Sequence, residues 1–179
     1  MGQLLPPIMS GRLESLVSYK FGVLEIRAKM PRGDWLWPGK RLLMKTGIRH
    51  TVCYEEKFAR TAALWPTLIS NSNYFHTWRL EWNTDHLMPV YFSIFIFHKV
   101  LLYNSNVFLL FKMFLILNNA VGGTAGIFPD KDLYAYPKPW RNDAKDPLGE
   151  FWSNRQNWLP TWKGEDTALV IDYVEFRHL

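Results

Sequence analysis

Two stretches of the chain alternate apolar and polar residues with period two. In Val23–Met30, Leu24, Ile26, Ala28 and Met30 alternate with Glu25, Arg27 and Lys29, which predicts a strand with one dry and one wet face. Pro31-Arg32-Gly33-Asp34 then stops it. In Tyr74–Trp82, Phe75, Thr77, Arg79 and Glu81 alternate with Tyr74, His76, Trp78, Leu80 and Trp82, a second strand closed by the turn residues Asn83-Thr84-Asp85. Shorter strands are expected at Arg12–Ser18, before a break at Gly22, and at Ala168–Phe176.

From Leu87 to Leu117 the chain is strongly apolar, but His98, Lys99 and Lys112 interrupt it and Asn104-Ser105-Asn106 adds a turn signal. A membrane-spanning helix needs ~20 apolar residues in a row, so buried strands are expected and a membrane span is not. Beyond Asn118 the chain reads as loop, with Gly122, Gly123 and Gly126 and prolines at 129, 137, 139 and 147. Short strands with Gly and Pro punctuation and no long helical period predict an all-β sandwich.

At 179 residues, with 48% hydrophobic and 21% charged residues, the chain fits one globular domain and neither a disordered nor a fibrous protein. Its net charge of +5 is concentrated in residues 32–60, where seven basic residues face three acidic ones. Neither a helical nor a strand period organises these charges, and aromatics do not interleave with them, so a solvated loop is expected and nucleic-acid binding is not. The single Cys53 excludes an intrachain disulfide and a cysteine-based zinc cluster. Met1–Pro7 shows no secretory leader pattern, and Pro6 spoils the resemblance of Met1-Gly2 to a myristoylation site. Nine Trp within an aromatic content of 16% exceed what a core of this size needs, and suggest rings that meet a ligand face-on.

Several blocks together carry a family pattern. They are Ser10-Gly-Arg-Leu13 and Phe21–Pro38, then Phe75–Trp82, then Leu115–Thr124, followed by Lys138-Pro-Trp140, Phe151-Trp152, Trp158–Trp162 and Ile171–Val174. In this order they resemble glycoside hydrolase family 16, in its animal branch of endo-β-1,3-glucanases and β-1,3-glucan-binding or Gram-negative-bacteria-binding proteins. The resemblance implies a concanavalin A-like β-jelly roll whose concave sheet forms a glucan cleft, built here as a single domain over residues 1–179. Indole faces suit the C–H faces of pyranose rings, and the hydroxyls need fixed polar partners.

Retaining glycoside hydrolysis needs two carboxylates about 5–5.5 Å apart. The family supplies them from a Glu-x-Asp-x-x-Glu motif, which should follow Trp37-Pro38 and is absent, since residues 39–50 contain no Asp or Glu. Glu55 and Glu56 are adjacent and would point to opposite faces of a strand. The sequence therefore predicts an incomplete jelly roll that lacks the catalytic strand region between about 38 and 75. The expected function is non-catalytic β-1,3-glucan binding of the pattern-recognition type, with an endo-β-1,3-glucanase or an inactive fragment of one as the alternatives.

By the same resemblance, Trp35, Trp37, Asn118, Trp140, Trp152 and Trp158 are the candidate sugar-binding residues, and Asp172 with a backbone carbonyl near Gly22 is a candidate structural calcium site. No other cofactor is expected, and the family places the protein outside the cell. Asn119, His76 and His86 read as turn-forming, packed or surface residues as readily as functional ones.

Overall fold

In the computed structural model, residues 7–46, 49–57, 73–84, 87–91, 112–130 and 136–179 are described. Eight strands occur in chain order: β1 (Arg12–Glu14), β2 (Gly22–Lys29), β3 (Leu36–Thr46), β4 (Arg49–Lys57), β5 (His76–Trp82), β6 (Leu87–Tyr91), β7 (Met113–Val121) and β8 (Val170–Arg177). They form two four-stranded sheets, ordered β1-β7-β3-β4 and β6-β5-β2-β8, with antiparallel neighbours throughout. Two antiparallel sheets packed face to face make the expected jelly-roll sandwich.

The alternation read in the sequence decides what lies between the sheets. Leu24, Ile26, Ala28 and Met30, on and just beyond β2, share one buried cluster with Trp78, Leu80 and Trp82 of β5 and Met113, Leu115 and Leu117 of β7. Each large apolar side chain removed from water in this layer is worth roughly 1.5–3 kcal/mol. Trp82 is fully enclosed, and its indole N–H donates to the Lys20 carbonyl at 2.6 Å, so burying its polar atom leaves no orphan. On the opposite face of β2 the charged positions pair across strands. Arg27 meets Asp172, and Glu25 accepts from the Tyr173 hydroxyl at 2.6 Å.

Residues 32–60 correct the loop expectation. They contain β3 and β4, an antiparallel pair running from Gly39↔Lys57 to Thr46↔Arg49, with an irregularity between Leu42 and Leu43. The register sets Lys40 opposite Glu56 and Arg41 opposite Glu55. β3 also pairs with β7 from Leu36↔Val121 to Met44↔Met113.

Near the C-terminus two short helices, α1 (Pro147–Ser153) and α2 (Arg155–Trp158), replace what the sequence suggested was loop. Asp146 caps α1 by accepting from the Gly149 N–H at 2.9 Å, and Pro147 occupies the first turn where its missing N–H costs nothing. The expected strands between residues 92 and 111, together with His86, lie outside the described residues.

Candidate functional site

At the end of the sandwich where β3 begins and β7 ends, a second core is built almost entirely of aromatic rings. Trp35, Phe128, Trp140, Phe151 and Trp158 are buried in it, with Trp37, Tyr136, Trp152 and Trp162 packed around them. The turn before β3 creates the entry. Gly33 takes φ 140°, and a Cβ there would lie 2.6 Å from the Trp162 ring, so the chain approaches that indole more closely than any other residue allows. Trp35 itself sits at φ 64°, a left-handed conformation rare for a bulky residue, held by the rings around it.

Those rings meet edge to face. Trp35 lies 5.0 Å from Trp140 and 5.3 Å from Phe128, at interplanar angles of 78° and 80°. Phe151 stacks on Trp158 at 4.3 Å, and Trp158 adjoins Trp162 at 5.0 Å. Such pairs add roughly 0.5–1.5 kcal/mol each beyond the area they bury. The polar groups of Asp34 beside the cluster are matched. Asp34, 4% exposed, accepts from the Tyr136 hydroxyl, its N–H donates to the Thr161 Oγ1 at 3.0 Å, and its carbonyl accepts from the Trp162 indole at 2.9 Å. Burial, followed by the Asp34 carboxylate, pushes the Tyr136 hydroxyl well above the ordinary phenol range.

The sugar-binding candidates divide accordingly. Trp35, Trp140 and Trp158 are 1%, 3% and 0% exposed, so no ring face is left for a pyranose, and the structure makes them interior residues. Trp37 is half-buried and stands at the rim. Its indole N–H donates to the Gly122 carbonyl at 2.7 Å, while the Trp140 indole donates to the Gly123 carbonyl at 3.1 Å, so the two rings hang from consecutive carbonyls of one glycine turn. The Gly122 N–H donates back to the Trp35 carbonyl at 2.8 Å.

By register, Trp37 pairs with Ala120, and Asn118 lies between Gly39 on one side and Arg12 on the other. Leu115 and Leu117 face the core between the sheets, so Trp37, Asn118, Ala120 and Arg12 share the outer face of the first sheet. Asn118 lies within β7 and not in a turn, and its buried Oδ1 has no hydrogen-bond partner among the described residues. Neighbouring Asn119 points the other way and donates to the Thr167 carbonyl at 2.9 Å. Trp152 is half-buried on α1, with the Arg155 guanidinium 4.8 Å from its ring.

The calcium candidate does not assemble. Val23, next to Gly22, pairs with Arg177, whereas Asp172 lies at the far end of β8 beside the Arg27–Ala28 irregularity. Along a strand that separation is about 15–20 Å. Asp172 is also committed to Arg27, and a Cβ at Gly22 would lie 2.3 Å from the Arg177 carbonyl, so Gly22 serves close strand approach. Among the described residues no group of three or more His, Cys, Asp or Glu is placed to hold a metal ion. His76, on β5 opposite Ala28, lies 6.0 Å from the Trp78 ring.

Two antiparallel sheets with an aromatic cluster at one end define a jelly-roll sandwich. The same fold occurs in the laminarinase of Rhodothermus marinus, which superposes with a TM-score of 0.51 over 93% of this chain and 70% of that one, at 18% identity. No protein-family model matches the chain. It is homologous to animal β-1,3-glucan-binding and Gram-negative bacteria-binding proteins. It is 30% identical to the β-1,3-glucan-binding protein of Penaeus monodon over 96% of its own length, 30% identical to β-1,3-glucan-binding protein 1 of Manduca sexta over 96%, and 29% identical to Gram-negative bacteria-binding protein 2 of Drosophila melanogaster over 94%. The chain spans 63%, 45% and 44% of those relatives. The Penaeus alignment runs over 234 residues, longer than this chain of 179, so that relative carries stretches absent here.

Proposed function

We propose that the chain binds β-1,3-glucan without cleaving it, through the outer face of the β1-β7-β3-β4 sheet. The observation that carries this reading is the pairing of a rim indole with an amide on one face: Trp37 supplies a ring for stacking, and Asn118 supplies a carbonyl oxygen that lacks a partner among the described residues. Arg12, exposed beside Asn118, adds a donor for hydroxyls. Trp152 extends the aromatic rim.

β3 continues from Trp37-Pro38 with no Asp or Glu anywhere along Leu36–Thr46, so the strand that leaves the rim offers neither the nucleophile nor the acid of a retaining glycosidase. The names of the relatives support binding as the activity, and an extracellular pattern-recognition setting is proposed with it. Among the described residues no helix is long and apolar enough to cross a membrane. A single domain lacking the catalytic strand region between about 38 and 75 completes the reading.

The test is co-sedimentation with insoluble β-1,3-glucan against a cellulose control, run beside a laminarin assay for reducing ends. Retention on the glucan with no reducing-end release above a heat-treated sample is expected. Equal retention on both solids would remove the binding reading, and sugar release would restore the enzymatic one.

A further inference from the structure

Lys138 carries an enclosed charge next to the aromatic core. Its side chain is only 5% exposed, a position an ammonium occupies only when paired. Its three N–H donors find three oxygens: the Phe128 carbonyl at 2.9 Å, Asn142 Oδ1 at 2.7 Å, and the Asp130 carboxylate. The same nitrogen lies 4.6 Å from the centroid of the Trp140 ring. Asn142 closes the knot, its backbone N–H donating to Asp130 Oδ2 at 2.9 Å and its Nδ2 to the Phe128 carbonyl at 3.0 Å. The hydrogen bonds from Lys138 and Asn142 also hold the Asp130 carboxyl below its ordinary range.

From this cation a short series of contacts leads to the rim. Lys138 holds the face of Trp140, Trp140 donates to the Gly123 carbonyl, and the preceding Gly122 carbonyl receives the Trp37 indole. Gly122 and Gly123 take φ of 58° and 113°, so this turn has its own backbone conformation, which the two indoles pin from either side.

We propose that Lys138 is a positioning residue for ligand binding, a buried cation that ties Phe128, Asp130 and Asn142 together and, through Trp140 and the Gly122-Gly123 turn, sets the ring of Trp37. The role rests on the glucan-binding reading above. A neutral side chain of similar length fills most of the space but leaves Asn142 Oδ1 without its donor and the Asp130 carboxylate without its counter-charge, so these contacts relax and Trp37 loses its fixed orientation.

The experiment uses the full chain labelled with 5-fluorotryptophan, its 19F lines assigned by single Trp→Phe substitutions, and compares Lys138→Met with the milder Asp130→Asn. The Trp37 and Trp140 lines are expected to move in both variants, while Trp78 and Trp82, in the core between the sheets, keep theirs. Retention on insoluble glucan is expected to fall about tenfold in Lys138→Met and less in Asp130→Asn. An unmoved Trp37 line overturns the proposal, as does a moved Trp37 line with unchanged retention. Equal movement of Trp78 and Trp82 overturns it in favour of a general structural role. If Lys138→Met does not fold, Asp130→Asn decides by the same lines. A wild-type chain that ignores glucan overturns the binding reading instead, and the Trp37 line still reports on the Lys138 linkage.

Discussion

The indole N–H of Trp37 donates to the carbonyl of Gly122 across 2.7 Å, joining the start of β3 to the turn that follows β7. That bond fixes the one candidate stacking ring that is neither enclosed nor remote from Asn118. Trp37→Ala is therefore expected to weaken glucan binding by about 2 kcal/mol, the size of an aromatic anchor at an interface. Trp37→Phe keeps a stacking ring and loses only the hydrogen bond, so it should lie between Ala and wild type in isothermal titration with a soluble β-1,3-oligosaccharide.

Asn118→Ala removes an amide whose oxygen has no partner among the described residues. Taking away an unsatisfied buried acceptor is expected to leave the melting temperature unchanged or slightly higher while ligand affinity falls. Calorimetry with and without oligosaccharide separates the two effects, and a large stability loss in the free protein would argue for a structural Asn118.

The Tyr136 hydroxyl is raised by burial and by Asp34, so the folded chain keeps its proton where the unfolded chain loses one. Stability from this group is complete below the ordinary phenol pKa of ~10 and declines as pH rises beyond it. Tyr173, raised mainly by its hydrogen bond to Glu25, adds to the same slope. Urea midpoints measured across the alkaline limb should fall less steeply in Tyr136→Phe than in wild type.

Gly22→Ala forces a Cβ to within 2.3 Å of the Arg177 carbonyl, at a backbone φ of 153° that L side chains rarely adopt. Backbone cannot yield as a side-chain tip can, and a loss of more than about 2 kcal/mol is expected from denaturant unfolding. The β2–β8 pair would be the part that opens.

Adding calcium or a chelator is expected to leave the thermal midpoint unmoved, since Asp172 pairs with Arg27 and Gly22 lies at the other end of the strand pair. A calcium-dependent rise in the midpoint, lost in Asp172→Asn, would show otherwise.

The strands that were legible in the sequence are those with one dry face. β2 and β5 alternate cleanly because one side meets the core and the other meets water, and the match to His76–Trp82 is nearly complete. β3 hid for a specific reason. Its sequence places Pro38 and Gly39 near the start and then the charged Lys40 and Arg41, a pattern that reads as loop. Pro38 is tolerated because the β4 ladder starts one residue later, at Gly39. The charges that had no visible period acquire one only when β4 supplies Glu55 and Glu56 opposite them. Helix α1, by contrast, was legible and missed, because Asp146-Pro147 is a start signal in seven residues too short to show a period.

The clustering of the candidate tryptophans was legible in part. Family-like spacing singles out five of them, and the structure gathers all five around one cluster. What spacing cannot show is which rings spend their faces on one another. Trp35 ends inside because a left-handed backbone turns it inward, a property of three-dimensional packing around Gly33 and Asp34.

The enclosure of Trp35, Trp82, Trp140 and Trp158 also has an optical consequence. Indoles shut away from water emit at shorter wavelengths and are shielded from a dissolved quencher such as iodide. They form a steady background that ligand addition does not disturb. Change on the long-wavelength side of the emission band, and its protection from iodide when a saccharide is present, then report among the described residues on the half-buried Trp37, Trp152 and Trp162, so the rim carries its own probe without any label.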